Sequence, residues 1–330
     1  MRPSNTIIRT SAAALALAAL WAVASPAAPE KRWFKGNLHT HTLNSDGDAT
    51  PSEVTSWYRE HKYNFLVLTD HNYLTTVEGL NAVHGAPGKF TLIPGEEVTS
   101  SFGKLPIHVN AFGPESLIEP LKGASVAETI QNNVNAIRAA KALASLNHPN
   151  FGWAATSKDI AQVKDLSFFE VYNGHPEVNN QGGGGFESLD EMWDAILTAG
   201  KRVRGIAVDD AHHFKTIGKS SSNPGRGWVV VRAAELDKQN ILGALAAGDF
   251  YASNGVVLKD LDLLAKELRI TTQPRTNEKF RTYFIGAGGK VLQISTDVNP
   301  TYTMKGNETY VRARVDSSYG DSAWTQPLFR

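Results

Sequence analysis

The sequence predicts an α/β fold with mainly parallel strands. Apolar, strand-like runs alternate with amphipathic segments from about residue 33 to about residue 210. The helical segments between them open on strong capping signals. About seven such runs fall within about 200 residues, which suits a barrel better than two separate sheets.

The strand-like runs are, in order, "RWFKGNL", "NFLVLTD", "FTLIPGEEV", "IHVNAFG", "LASLNH", "FFEVYNG" and "VRGIAVDD". "TPSE" at Thr50–Glu53 starts a helix after the first run, with an N-cap threonine, a proline in the first turn and a glutamate three residues on. "SVAE" (Ser125–Glu128) and "SLDE" (Ser188–Glu191) repeat the capping-box pattern. From about Val256 the texture changes to short β-like runs separated by Gly, Asn and Pro. This predicts a small antiparallel β module over 256–330, packed on the barrel or forming its edge, after a barrel over 31–255. "QGGGG" at Gln181–Gly185 reads as a flexible loop.

Composition narrows the class. The chain has 330 residues, 42% hydrophobic and 20% charged, which fits a globular enzyme-sized protein. The formal charge is zero, so no basic excess points to nucleic acid. No cysteine is present, which excludes thiolate metal sites and thiol nucleophiles. At the N-terminus Arg2 and Arg9 precede an uncharged run from Ser11 to Ala24 that ends small-x-small. The run is short of the roughly 20 residues a spanning helix needs. We therefore expect residues 1–24 to be a cleaved signal, the mature protein to be periplasmic or secreted, and no stable membrane anchor to remain.

The chemistry clusters just past the strand-like runs. The first run leads to His39, His41 and Asp46, the second to Asp70 and His71, and the third to Glu96 and Glu97. The fourth contains His108, and the fifth ends at His148. The sixth carries Glu170 with Asn173 and His175 beyond it, and the seventh leads to Asp209, Asp210, His212 and His213. In a parallel barrel the carboxyl ends of the strands share the face that holds the active site, so these scattered residues can converge. His39 and His41 are two apart and point to the same side of a strand, as do Asp210 and His212. Imidazole and carboxylate ligands without sulfur suit zinc, manganese or iron. They are too many for one four-coordinate ion, and two or three divalent ions sharing a bridging carboxylate would use them all. Such a cluster lowers the pKa of a bound water from about 15.7 to about 7, which supplies hydroxide at neutral pH.

"LHTHTLNSDG", "LTDHN", "PGEEV", "NHP" and "DDAH" together resemble the polymerase-and-histidinol-phosphatase (PHP) superfamily of metal-dependent phosphoesterases, over most of residues 33–232. Within it, "EVYNGH", "NPGRGW" and "AWTQPLF" resemble the CehA/McbA-type metallohydrolases. The resemblance implies a distorted (β/α)7 barrel of TIM-like type with a trinuclear site. It implies that His39, His41 and Asp210 hold one ion. Glu97 would bridge it to a second, completed by His108 and His148, and Asp46, His71 and His212 would hold the third. Glu97 is preferred to Glu96 because the family motif reads Gly-x-Glu, and alternation lets only one of the two face inward. All nine ligand positions are filled. Asp210, His212 and Glu97 are then the residues closest to the chemistry.

Around this set the reading leaves alternatives. Asn173 and His175 can contact substrate or shape their loop. Arg226 can pair with an anionic ester or be a surface arginine beside a turn, and Lys104 is a weaker phosphate candidate. Asp70 can orient its neighbour or cap a turn. His61 reads as solvent-facing, His213 as facing solvent or supporting a ligand, and His84 as loop. The expected activity is cluster-hydroxide cleavage of small anionic phosphate mono- or diesters. Carbamate or aryl ester hydrolysis is the alternative within the subfamily, and a metal-stabilised binding domain without activity is the rival of another class. Nothing in the sequence bears on oligomeric state.

Overall fold

The computed structural model describes residues 30–330, so the expected signal segment lies outside the described residues. In chain order the elements are β1 (Arg32–Asn37), α1 (Pro51–Glu60), β2 (Phe65–Leu68), α2 (Glu78–His84), β3 (Thr91–Phe102), β4 (Leu105–Phe112) and α3 (Val126–Ala139). Then come β5 (Leu143–Leu146), α4 (Ser157–Ile160), β6 (Phe168–Asn173), α5 (Leu189–Thr198), β7 (Arg204–Val208), β8 (Trp228–Ala233), α6 (Lys238–Ala247) and β9 (Phe250–Ser253). The rest is β: β10 (Leu258–Leu263), β11 (Glu267–Thr272), β12 (Phe280–Gly286), β13 (Lys290–Ser295), β14 (Thr301–Thr303), β15 (Tyr310–Ser317), β16 (Ser322–Thr325) and β17 (Leu328–Phe329). Among the described residues no helix is long and apolar enough to cross a membrane.

The architecture is mixed α/β. A 14-stranded sheet runs β13-β12-β15-β16-β9-β8-β1-β2-β3-β4-β5-β6-β7, with β17 paired to β15. Parallel pairing joins β1, β2 and β3, and again β5, β6 and β7. The expectation of mainly parallel strands fails in between. β3 and β4 form a long antiparallel hairpin, and β4 is antiparallel to β5. The cause is local: Gly103 at φ 59° and Lys104 turn the chain straight back, leaving no room for a crossover helix. At the far side β7 returns to β1. His41 N–H donates to Ala211 O and Asp210 N–H to His39 O, both at 2.9 Å.

Local sequence explains the helices that the capping signals predicted. Thr50 and Ser188 each cap an N3 backbone N–H while Glu53 and Glu191 bond back, and Ser125 caps α3 through Glu128 N–H. Such a cap is worth about 1 kcal/mol. Apolar faces then fill the concave side of the sheet. Phe34, Phe65, Ile93, Phe112, Phe168 and Ile206 come from six strands and are all buried. Each buried aliphatic or aromatic side chain of this kind contributes roughly 1.5–3 kcal/mol. Gly36 is required for this packing, because a Cβ there would lie 2.3 Å from the Phe65 ring.

The C-terminal strands continue the same sheet, since β16 pairs with β9. A buried ion network ties them to α5. Arg312 of β15 binds both carboxylate oxygens of Asp194 at 2.7 Å, and its Nη2 lies 2.7 Å from Asp190. Tyr310 OH donates to Asp194 and Trp324 Nε1–H to Asp190.

Candidate metal centre

The nine ligand candidates converge at the carboxyl ends of β1, β2, β5 and β7 and along the β3–β4 hairpin. The deepest group is fully buried. His39 Nε2 is 3.2 Å from His41 Nε2, 3.3 Å from Asp210 Oδ1 and 3.4 Å from Glu97 Oε2. His41 Nε2 is 3.3 Å from both of those oxygens. His39, His41 and Asp210 thus form one compact donor group, and Glu97 joins it through both histidines. Ligand atoms about 2.0–2.1 Å from a four-coordinate ion stand roughly 3.3 Å apart, so the donor set has the span a metal ion needs. Hydrogen bonding does not explain it, because Glu97 Oε2 is buried without a hydrogen-bond partner.

Glu97 faces a second group with its other oxygen. Oε1 is 3.0 Å from His108 Nδ1 and 3.4 Å from His148 Nε2, and it accepts from Asn147 Nδ2 at 2.8 Å. A third group lies nearer the surface. His212 Nε2 is 3.3 Å and His71 Nε2 3.6 Å from the Asp46 carboxylate, with His41 Nδ1 at 3.5 Å. His71 also reaches back, its Nδ1 2.9 Å from Glu97 Oε2. The pairing of Glu96 and Glu97 follows the pleat: Glu96 points the other way and accepts the Ile118 N–H.

Charge explains why the cluster calls for cations. Burial alone would raise the Glu97 and Asp210 carboxyls, yet the surrounding histidines hold both well below the usual carboxylate range. Burial alone would lower His39, His71 and His148, yet the same carboxylates raise all three, His71 to about 10. Burial and His212 push His41 down to about 4. In the protein alone, protons on imidazoles supply the positive charge that buried carboxylates demand. A divalent ion would supply it instead.

Several supporting contacts surround the set. Glu170, read from sequence only as a strand-end carboxylate, accepts from His39 Nδ1 at 2.7 Å and from the His148 backbone N–H at 2.7 Å, which leaves His39 Nε2 facing the other donors. Thr99 Oγ1 lies 2.5 Å from His71 Nδ1. Asp70 resolves as a loop cap, accepting from Thr42 N–H and from the hydroxyls of Thr42, Ser45 and Thr75. Being strand-end polar residues was the only available signal for Glu170 and Asp70.

The expected substrate residues divide. Above the metal-ligand candidates is a cavity of about 390 Å³, whose wall includes Phe151, His175, Glu177 and His213. His175 therefore lines the cavity, as does His213, expected to face solvent or support a ligand. Asn173 lies under the site instead: it is fully buried and donates to Glu170 and Asp210. Arg226 is turned away, its guanidinium donating to Gly174 O, Gly218 O and Asn223 Oδ1. Lys104 sits exposed at the hairpin tip and is not part of the cavity wall. His84 closes α2 and is buried, bonded to Ser52 rather than looped out.

With this geometry in hand, solved structures offer a comparison. A two-domain protein from Bacteroides vulgatus, containing a predicted PHP-like metal-dependent phosphoesterase, matches 87% of this chain and 90% of its own, with 15% identity and a TM-score of 0.51. The fold is PHP-like. A putative metal-dependent phosphoesterase from Bifidobacterium adolescentis aligns over 57% of this chain and 89% of its own, at 15% identity and a TM-score of 0.40. A lesion-specific endonuclease from Pyrococcus furiosus aligns over 66% of this chain and 56% of its own, at 14% identity and a TM-score of 0.42. No family model and no curated protein matches the sequence. The PHP-like fold holds the cluster at the carboxyl ends of its strands, where the α/β architecture leads one to look.

Proposed function

We propose that this protein is an exported metal-dependent hydrolase that cleaves phosphate mono- or diesters. The observation that carries the reading is the buried set of His39, His41, Asp210 and Glu97, with Glu97 shared by a second set. We assign the first ion to His39, His41, Asp210 and Glu97. His108 and His148 share Glu97 for the second, and Asp46, His71 and His212 take the third. On this reading the first seven strands act as a distorted (β/α)7 barrel, 31–255, with 256–330 as its β module. Export rests on the Arg2–Ala24 pattern alone.

Divalent ions held there would supply an activated water near neutral pH and a counter-charge for the leaving oxygen. The chain's own residues do the rest. Glu170 and Asn147 fix two of the ligand candidates, His39 and Glu97, by direct hydrogen bonds. Asn173 holds Asp210 and Glu170 together. Phe151, 5.4 Å from the His148 ring centre, offers an apolar wall to the organic part of an ester. That same wall favours a second reading, carbamate or aryl ester hydrolysis, where the attacked centre is carbon and less charge needs recognition.

The test is parallel hydrolysis of bis(4-nitrophenyl) phosphate and 1-naphthyl N-methylcarbamate by protein reloaded with manganese or zinc, beside a chelated control. Turnover of the diester that disappears on chelation supports the proposal. Turnover of the carbamate alone moves the reading to carbon esters, and bound metal with turnover of neither substrate supports a binding domain.

A further inference from the structure

We infer that Glu177 acts as a charge filter at the mouth of the cavity, disfavouring esters in proportion to their negative charge. This rests on the hydrolase reading above and names which substrates that site favours. Beyond the metal-ligand candidates, the wall contains Phe151, His175, Glu177 and His213. Among the described residues, no lysine or arginine lines it. Arg226, the nearest candidate from sequence, spends its guanidinium on three acceptors of neighbouring loops.

The turn that carries Glu177 fixes its neighbour too. The Glu177 backbone N–H donates to His175 Nδ1 at 3.2 Å. A nitrogen that accepts carries no proton, so His175 keeps its one proton on Nε2. It offers a substrate a single neutral donor. Asn173 Oδ1 accepts the His175 backbone N–H, and His175 O accepts the Val178 N–H, so the turn is pinned at both ends. Glu177 itself is exposed. Any cations of the cluster would attract a dianion more strongly than a monoanion. The carboxylate at the rim opposes that preference, because its repulsion also scales with ligand charge. A diester also exchanges one charge for a second organic group, which can lie against Phe151.

The experiment measures binding first and turnover second. Manganese-loaded wild type and Glu177→Gln are titrated at pH 8 by calorimetry with phenyl phosphate, diphenyl phosphate and an uncharged naphthyl carbamate. Glu177→Gln tightens phenyl phosphate by about fourfold and diphenyl phosphate by about twofold, and leaves the carbamate unchanged. The gain shrinks in high salt, as expected for an exposed charge. Glu177→Lys enlarges each step in the same order. An equal shift for all three ligands, or none, overturns the filter. Hydrolysis of 4-nitrophenyl phosphate and bis(4-nitrophenyl) phosphate is followed on the same samples. Turnover with an unchanged binding ratio rejects the filter and leaves the hydrolase. Graded binding without turnover rejects the hydrolase and leaves the filter.

Discussion

Glu170 grips His39 from behind: its Oε1 accepts from His39 Nδ1 at 2.7 Å, on the side of the ring opposite the Nε2 that faces His41, Asp210 and Glu97. The two residues lie 131 positions apart and are both fully buried. The carboxylate fixes the tautomer of a ligand it never shares. Replacing it with Gln keeps the shape and removes the charge. Glu170→Gln should lower metal affinity by about 10–100-fold while the far-ultraviolet circular dichroism stays that of the wild type. Competition with a chromogenic chelator reads the affinity, and an unchanged value refutes the role.

Glu97 stands between two donor groups, one on each oxygen. Glu97→Gln therefore should cost more than one ion per chain, whereas His108→Ala should cost only one. Metal analysis after gel filtration distinguishes these, and equal losses would show that Glu97 serves a single site.

The Arg312 network predicts a stability effect remote from the cluster. Asp194→Ala leaves a fully buried guanidinium without its bidentate partner, and should destabilise the fold by about 3–5 kcal/mol. Arg312→Met with Asp194→Leu should recover much of that loss, because paired apolar replacements remove both desolvation costs. Denaturant midpoints of the single and double variants decide it.

Lys35 carries its ammonium 3.9 Å from the Tyr63 ring centre and 3.8 Å from that of Trp228. Burial pushes it down to about 8, against the pull of Asp209. Between pH 8 and about 10.4 the unfolded chain holds this proton more tightly than the folded one. Stability relative to Lys35→Met should thus rise with pH across that window, by at most about 1.4 kcal/mol per pH unit, and be flat below it. Parallel urea titrations at pH 7, 8, 9 and 10 give the difference, and a flat difference throughout refutes the shift.

The convergence of the candidate ligands was legible because its logic is one-dimensional: polar residues placed just past apolar runs, twice at a spacing of two. Strand alternation says that only one of Glu96 and Glu97 faces inward, and the resemblance to the Gly-x-Glu motif chose Glu97. What was hidden depends on direction. Asn173 ends β6 and Arg226 sits in a loop, and sequence does not say which way a side chain at such a position turns. Here both turn to satisfy nearby carbonyls and carboxylates. The role of Glu170 was hidden for another reason, since nothing near it in sequence announces His39, just past β1, as its partner. The antiparallel hairpin went unread, although "FGKL" offers the turn glycine that such a reversal requires.

The placement of β16 between β9 and β15 has a consequence for how the molecule is made. A ribosome completes His212 more than 100 residues before Trp324 of β16 emerges. Until then β9 presents a bare edge, and the carboxylates of α5 lack the arginines that neutralise them. The nascent chain thus holds its whole ligand set early and the means to lock the surrounding sheet late. Such long-range closure is slow, and an open strand edge invites pairing with other chains while it lasts. The step most exposed to misassembly is the arrival of this strand, so holdase chaperones should improve yield more than added metal does.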